Sequence, residues 1–391
     1  MKRASSHLTL SALFAAMASV AACSGSAPLE PVSATPAQPG SAAPAEPAPS
    51  ASAAPAPSGP APEASAKAPE PAPEPTHCPA GMKLVEGDYC TEVEHTCKTE
   101  WYAESNKKRV CEEFEPRAEC KGERVKKRFC IDEYEWPNKK GERPEVMNRF
   151  HQAQLKCAAV GKRMCTESEW NFACEGPEMK PFPYGYKRDP LICNGDHLWD
   201  DPNMKKVGKR DAAELARLWR GMPSGSQPKC VSDFGVYDLP GNADEVVSSE
   251  QNPNGKRGKF DSIHTGGPWY SGVRNQCRPK VYTHGEDFYY YFLSFRCCAE
   301  PDGAETDPRT TRQRKEGWKM EKVERLAGST LAEVKEKLRL KAEGKCSCKD
   351  SDITCKTLCG TLLGPGAVDA TPETPRARYA GKKTKGKPGA D

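Results

Sequence analysis

The segment Ala153–Gly176 reads AQLKCAAVGKRMCTESEWNFACEG and predicts two short helices. In the first helix, apolar or small residues recur at spacings of three and four and share one face: Phe150, Ala153, Cys157 and Ala158. We predict that this helix ends at Gly161, because glycine readily adopts the left-handed conformation that follows a helix.

A capping box marks the start of the second helix. Thr166 and Glu169 stand three residues apart, so each side chain can bond a free amide of the first turn. Trp170, Ala173 and Cys174 then share the face that we expect to be buried. Each helix is therefore predicted to direct one cysteine into the core.

The first 76 residues predict export and membrane anchoring. Residues 1–22 combine Lys2 and Arg3 with an apolar run, as a signal peptide does. The run ends in VAAC, which resembles a bacterial lipobox, so we expect Cys23 to be acylated; the alternative is an ordinary secretory signal. Residues 23–76 are rich in Pro, Ala, Ser and Glu and predict a disordered tether. Ser24 follows Cys23, as in Gram-negative lipoproteins that are sorted to the outer membrane. We therefore expect the domain on the periplasmic face of that membrane or at the cell surface.

The C-terminal region predicts a helical appendage and a tail. Residues 304–364 contain an amphipathic helix that a Thr330/Glu333 capping box begins, followed by four closely spaced cysteines. Residues 365–391 are rich in Pro, Gly and Lys and predict a disordered basic tail. The formal net charge of the whole chain is only +4, so its composition does not indicate a nucleic-acid partner.

The cysteine content predicts a disulfide-rich exported protein. Of 19 cysteines, all but Cys23 lie beyond the tether, and an exported protein keeps such cysteines as disulfides. A charged insert at residues 91–128 carries several of them. Residue patterns alone leave open the pairing of these cysteines: Cys78, Cys90, Cys97, Cys111, Cys120, Cys130, Cys165, Cys193, Cys230, Cys298 and the four C-terminal cysteines.

Five ordered sequence blocks resemble the formylglycine-generating enzyme (sulfatase-modifying factor) family. The first is the opening segment, with the pattern A-x3-C-x3-GKR-x2-TE-x-EW-x2-A-x2-G. The others are FPYGYKRDPLICNGD (182–196), GVYDLPGNADE (235–245), GGPW (266–269) and SFRC (294–297). The resemblance implies an α+β fold with a C-type-lectin-like core, little regular secondary structure and many disulfides, here over residues 77–303.

The resemblance also shows where catalytic residues are missing. The family's enzyme oxidises a substrate cysteine with a pair of copper-binding thiolates that follow the GGSW-like block. The first thiolate position corresponds to Ser271, whose hydroxyl is too hard a ligand for Cu(I). Cys277 matches a structural cysteine instead. By resemblance Cys174 pairs with Cys277 and Cys157 with Cys297, so copper is not expected.

Other site residues come from the same resemblance or from residue type. The family holds structural calcium, and the matching positions are Asp238, Gly241, Ala243 and Glu245, with Asn194 and Gly195 in a second loop. His284 and Ser271 are weak catalytic candidates. A binding groove is expected to involve these residues: Trp269, Tyr270, Arg274 and Tyr282.

Three functional hypotheses follow. The first is a lipid-anchored envelope protein whose non-catalytic domain binds a peptide, a glycan or a protein partner. The alternative is an oxidase or sulfatase-modifying enzyme of the formylglycine-generating or non-heme iron type, with a diverged site. A third hypothesis, a purely structural spacer, requires no ligand.

We predict that Cys23 carries the lipid anchor. A metabolic fatty-acid probe should label the wild-type protein in cells, because the lipobox-like VAAC ends at this thiol. Cys23→Ser should abolish the label, whereas Cys23→Ser protein that is still labelled would show that the anchor is elsewhere or absent.

Overall fold

The computed structural model describes residues 77–103, 108–250, 258–270, 272–364, 367–371 and 384–385. The predicted signal peptide, the tether, Cys23, Ser271 and most of the basic tail lie outside these residues. None of the described helices is long and apolar enough to cross a membrane.

The described chain combines short strands with short helices, so the α+β prediction is confirmed. The strands are β1 (Met82–Cys90), β2 (Val93–Glu94), β3 (Cys97–Ala103), β4 (Lys108–Phe114), β5 (Glu119–Cys120), β6 (Arg124–Asp132), β7 (Arg163–Met164), β8 (Asp244–Ser248), β9 (Ser262–Thr265), β10 (Lys280–Val281), β11 (Leu293–Ser294), β12 (Cys297–Ala299) and β13 (Thr384–Lys385). The helices are α1 (Phe150–Ala159), α2 (Glu167–Glu175), α3 (Met204–Gly208), α4 (Ala212–Leu218), α5 (Thr311–Lys315), α6 (Met320–Ala327), α7 (Leu331–Ala342) and α8 (Ile353–Cys359).

Two four-stranded sheets form the body of the domain. The first has the order β1-β6-β12-β7, and the antiparallel ladder of β1 and β6 runs from Met82↔Asp132 to Cys90↔Arg124. The second has the order β10-β9-β8-β11, with β8 and β11 parallel. The predicted charged insert forms the β3–β4 hairpin and the small β2–β5 pair.

The local signals of the opening segment are confirmed. The α2 helix starts at Thr166, and its capping box with Glu169 is complete. Gly161, with a φ of 74°, follows α1 as predicted. Capping by Thr330 and Glu333 at α7 is likewise complete.

The appendage packs on the domain and covers α1. Leu155 of α1 lies in one apolar cluster with Val323 of α6, Val334 of α7 and Leu358 of α8. The face of α1 that the sequence predicts as buried is therefore only one of its buried faces. Its opposite face is buried by residues more than 150 positions away, which helix periodicity alone does not indicate.

A buried ion-pair network joins the appendage to the domain. The Lys156 ammonium, fully buried, donates to the Glu145 carboxylate and to the carbonyl of Thr357, 2.8 Å away. Lys341 of α7 donates to the other Glu145 oxygen at 2.6 Å. Burial opposes ionisation of Lys156 and lowers its pKa, while Glu145 favours the charged form. One carboxylate thus compensates two ammonium groups at this contact.

Nine disulfides pair every cysteine in the described residues. Cys157 is bonded to Cys297 and Cys174 to Cys277, the two bridges that the resemblance implies. The remaining pairs are Cys78–Cys130, Cys90–Cys120, Cys97–Cys111, Cys165–Cys298, Cys193–Cys230, Cys346–Cys359 and Cys348–Cys355. This number of disulfides indicates an oxidising compartment and hence an exported protein.

The Arg296–Glu245 ion pair lies at the centre of the domain. Arg296 Nε and Nη2 donate to the two Glu245 oxygens at 2.8 and 2.7 Å, and both side chains are buried. The Trp170 indole of α2 donates to the same carboxylate at 3.0 Å. The Arg296 guanidinium also donates to the carbonyls of Asp132 and Tyr237. The pair therefore connects both sheets to α2.

We predict an unequal effect of the two substitutions at the appendage contact. Glu145→Gln should lower the free energy of unfolding by about 3–5 kcal/mol, because it leaves the buried Lys156 ammonium without a carboxylate. Lys156→Met should cost clearly less, since Glu145 keeps Lys341. Urea denaturation of both variants measures the difference, and equal losses would contradict the proposed network.

We also predict that Glu245→Gln lowers the free energy of unfolding by about 3–5 kcal/mol, since it leaves the Arg296 guanidinium without its counter-charge. The loss should be the same with calcium and with a chelator, because the carboxylate is bonded to Arg296 and Trp170. The control is Asp88→Asn, which removes an exposed pair with Lys126 and should cost less than about 1 kcal/mol. A loss seen only with calcium would identify Glu245 as a calcium ligand.

Candidate functional site

Two glycines form the turn that opens the candidate site. Gly266 and Gly267 have φ values of 86° and 68°, in the left-handed region that favours glycine. A Cβ atom on Gly267 would lie 2.9 Å from the backbone carbon of Arg274. The close approach that glycine permits brings Arg274 to Asp244, to which its guanidinium donates. The amide of Gly267 donates to the same Asp244 oxygen at 3.2 Å.

Asp244 is a fully buried carboxylate on β8. Burial raises its pKa, and Arg274 opposes that shift. Among the described groups, none donates a hydrogen bond to Oδ2, and His264 Nδ1 lies 3.9 Å from it. Arg274 therefore supplies the main compensation for this charge.

His284 belongs to an aromatic stack beside this carboxylate. Its ring centroid lies 3.9 Å from that of Phe288 and 5.2 Å from that of His264. Burial lowers the pKa of both histidines, and the Arg274 guanidinium lowers both further. The two imidazoles are thus neutral at neutral pH. The imidazole rings of His264 and His284 stack on each other and contact the Phe288 ring, as side chains in ordinary aromatic packing do.

The histidines do not fit an iron site of the expected type. In the described part of the chain, the one group of His, Cys, Asp or Glu ligand atoms within 4.8 Å of one another consists of Cys348, Cys355 and Cys359. His264, His284 and Asp244 do not bring three ligand atoms to one point, as a non-heme iron site requires.

Copper does not fit either. Cys277, the cysteine closest in sequence after the double glycine, is buried and bonded to Cys174. A disulfide sulfur is not a thiolate and does not provide the soft anionic ligand that Cu(I) prefers. Ser271, the other candidate in this segment, lies outside the described residues.

The four residues expected to bind calcium do not fit the ion as a set. Arg296 and Trp170 occupy the Glu245 carboxylate, so a cation would have to displace a guanidinium from it. Asp238 accepts from the amide of Gly225 at 2.7 Å, and burial raises its pKa to about 7.

The two loops that the sequence analysis treated as separate calcium loops lie against each other. The carbonyl oxygen of Cys193 is 2.0 Å from the position of a Cβ atom on Gly241, so this contact requires glycine. Asn242 donates from its amide to the carbonyl of Asn194 at 3.1 Å, and the Asn194 side chain donates to Asn242 Oδ1 at 2.9 Å. The amide of Ala243 donates to a Glu135 oxygen at 3.1 Å, and the amide of Gly195 donates to the carbonyl of Pro190. The two bonds between Asn194 and Asn242 join the loops directly.

The expected groove residues do not line one groove. Trp269 is 2% exposed and packs edge-to-face on Trp219, so its assignment to a groove is wrong. Tyr270 is half-buried between Trp199 and Phe292. Tyr282 lies in a different cleft, on the side of the β10–β9–β8–β11 sheet that carries α2.

This α2 cleft has a volume of about 580 Å³. Its lining includes polar and aromatic side chains, namely Tyr89, Lys127, Glu167, Asn171, Glu250, Arg278, Lys280 and Tyr282. The Arg278 guanidinium lies 5.0 Å from the Tyr89 ring centroid and the Lys127 ammonium 5.5 Å from it, on cation–π contacts.

Cations and carboxylates of the α2 cleft compensate one another. Lys280 donates to Glu167 at 3.1 Å, and burial lowers the pKa of Lys280. Arg278 donates to Glu175, whose pKa burial raises. The Asn171 amide lies 3.2 Å from the Tyr89 hydroxyl. This cleft was not predicted from the sequence, although Glu167, Asn171 and Glu175 recur every four residues on one face of α2.

Residues 86–301 match the family model of the sulfatase-modifying factor enzyme 1-like domain. A Bos taurus protein named inactive C-alpha-formylglycine-generating enzyme 2 is 34% identical over 108 residues, which are 27% of this chain and 33% of that protein. The Bos taurus formylglycine-generating enzyme is 26% identical over 176 residues, which are 40% of this chain and 44% of that protein. The chain thus spans a third to less than half of the length of these relatives.

Solved structures with a similar outline include CarF, at 13% identity and a TM-score of 0.35, covering 57% of this chain and 98% of that one. PvdO from Pseudomonas aeruginosa is 16% identical with a TM-score of 0.34, covering 56% of this chain and 93% of that one. The family match alone spans more than half of the sequence. On that match, the chain belongs to the family of sulfatase-modifying factor enzyme 1-like domains.

Proposed function

We propose that this chain is a lipid-anchored protein of the bacterial outer membrane whose domain binds an extended peptide segment of an envelope partner. Binding would take place in the α2 cleft and would not be followed by copper-dependent oxidation of a cysteine. The observation that carries the non-catalytic part is the Cys174–Cys277 disulfide, which engages the first cysteine that follows the double glycine in the sequence.

The disulfide bonding of the other cysteines also supports a non-catalytic domain. Every cysteine in the described residues is in a disulfide, so formation of a two-thiolate site would first require reduction of the domain. Two relatives, from Bos taurus and Mus musculus, carry the name of an inactive formylglycine-generating enzyme. The names of these two relatives indicate that a protein can have this family's domain without carrying out its reaction.

A peptide is the ligand class that the cleft and the family together favour. The family is described as modifying sulfatases, which are polypeptides. The α2 cleft presents ammonium, guanidinium, carboxylate and amide groups side by side, with two tyrosines between them. Such a surface suits a backbone with side chains of both charges, since Lys127, Arg278 and Lys280 each have an internal carboxylate partner that a peptide group can replace.

The charge distribution of the cleft argues against a nucleic-acid partner. Lys280 and Arg278 are each bonded to a carboxylate, and Lys127 lies 3.8 Å from Glu250. A phosphate backbone is bound through basic side chains whose charge is not already neutralised by nearby acids. Calcium is not part of the proposal, because the Glu245 carboxylate accepts from Arg296 and Trp170 and the Asp238 carboxylate accepts from the amide of Gly225.

Peptide and glycan arrays probed with the purified domain test this proposal. We expect peptides to be retained, and Tyr282→Ala combined with Lys127→Ser should weaken the best of them about tenfold or more, because both side chains line the cleft. The matched control is Tyr270→Ala, which removes a half-buried tyrosine outside the cleft and should leave binding unchanged.

Two outcomes would overturn the proposal. Binding of glycans alone would replace the peptide with a carbohydrate ligand. Oxygen uptake above background by the copper-treated, unreduced domain with a cysteine-containing peptide would support the oxidase hypothesis instead. With Cys277 in a disulfide, we expect uptake equal to that of a protein-free control.

A further inference from the structure

Four cysteines of the C-terminal appendage form a compact sulfur cluster. Two disulfides, Cys346–Cys359 and Cys348–Cys355, lie side by side. Across the two disulfides, Cys348 Sγ is 3.4 Å from Cys359 Sγ, and Cys355 Sγ is 3.9 Å from Cys359 Sγ. Sulfur atoms at these distances are in van der Waals contact, so a thiolate formed at one of them is already next to the sulfur it would attack.

A cleft of about 530 Å³ opens onto this cluster. Cys346 and Cys348, both half-buried, line it, while Cys355 and Cys359 are buried behind them. Its other walls include Val146 and Arg143 of the domain and Leu362 of the appendage, so it offers apolar and charged surface. The two cysteines that line the cleft thus belong to different disulfides, and each has a buried bonded partner.

A single ammonium group is placed to stabilise a thiolate in the cluster. Lys337 of α7 points its Nζ at Cys355 Sγ, at a distance of 3.5 Å. A cation beside a sulfur favours the thiolate form and makes that sulfur a better leaving group. Cys355 is therefore the position at which negative charge should collect when the disulfides exchange.

We propose that these four cysteines are a thiol–disulfide exchange site, and that the cleft admits a cysteine thiol of a partner protein. The partner thiolate attacks Cys346 Sγ, which forms a mixed disulfide and releases Cys359 as a thiolate. Cys359 then attacks Cys348 Sγ, forms Cys348–Cys359 and releases the Cys355 thiolate beside Lys337.

Two endings complete the exchange without any further oxidant. In the first, the Cys355 thiolate attacks Cys346 Sγ, forms Cys346–Cys355 and returns the partner's thiolate, so two disulfides are present before and after. In the second, a second thiol of the partner attacks the partner's own sulfur in the mixed disulfide. The partner then leaves as a disulfide, and Cys346 and Cys355 keep the two electrons as thiols. This site does not depend on peptide binding at the α2 cleft.

The chain contains its own control for this proposal. Cys97–Cys111 lies on the insert, and Cys97 is exposed, so accessibility alone predicts that this disulfide reacts first. The oxidised full chain is incubated with reduced glutathione, quenched with acid, alkylated and mapped by mass spectrometry. We expect modification of the four appendage cysteines at least about tenfold faster than that of Cys97 and Cys111, with a new Cys348–Cys359 cross-link.

A pair of lysine variants tests the electrostatic part. Lys337→Met should slow formation of the Cys348–Cys359 cross-link several-fold and move its pH dependence to higher pH, because the Cys355 thiolate loses its cation. Lys335→Met, on the exposed side of the same helix, should change neither. The proposal is overturned if Cys97–Cys111 reacts as fast as the appendage cysteines, or if only the original pairings are recovered.

Discussion

The domain depends on one buried charge pair that cannot be left half-formed. Arg296 comes from the end of the sequence match and Glu245 from the middle of it, and both are removed from water. Removing a guanidinium and a carboxylate from water costs several kcal/mol each, so hydrogen bonds to both groups must compensate for the lost hydration. Arg296 therefore reaches the carbonyls of Asp132 and Tyr237, and Glu245 also accepts from Trp170. The same requirement explains why Glu245 is not available to a metal ion.

Covalent bonds supply what the short strands and helices do not. Strands of two or three residues, such as β7 and β12, form few hydrogen bonds, yet disulfides flank both of them. A bridge that closes a loop of more than 100 residues stabilises by about 4–5 kcal/mol in the chain-entropy description. The Cys174–Cys277 bridge also has a chemical consequence, because the sulfur that holds the site segment in place cannot act as a thiolate.

Local signals in the sequence predicted local structure well. The capping boxes at Thr166 and Thr330 formed as expected, since each depends on residues three positions apart. The sequence did not indicate that the appendage would cover α1, that Trp269 would be buried, or that Lys280 would face Glu167. Each of these depends on contacts between distant segments. The resemblance indicated positions expected to bind calcium. It did not indicate that Arg296 donates to the Glu245 carboxylate at one of these positions.

Two pairs of disulfides, Cys157–Cys297 with Cys165–Cys298 and Cys346–Cys359 with Cys348–Cys355, differ in their access to an external thiol. Cys157, Cys165, Cys297 and Cys298 are fully buried, so an external thiol reaches them only if the domain opens. Cys346 and Cys348 are half-buried at a cleft, and their bonded partners contact each other's disulfide in the interior. Exchange chemistry needs both access for a thiol and a second sulfur within reach. In the described chain, the core disulfides lack access, whereas the appendage combines access with sulfur contacts. The appendage, which lies outside the matched family domain, thus carries an arrangement suited to reacting with a partner's cysteine.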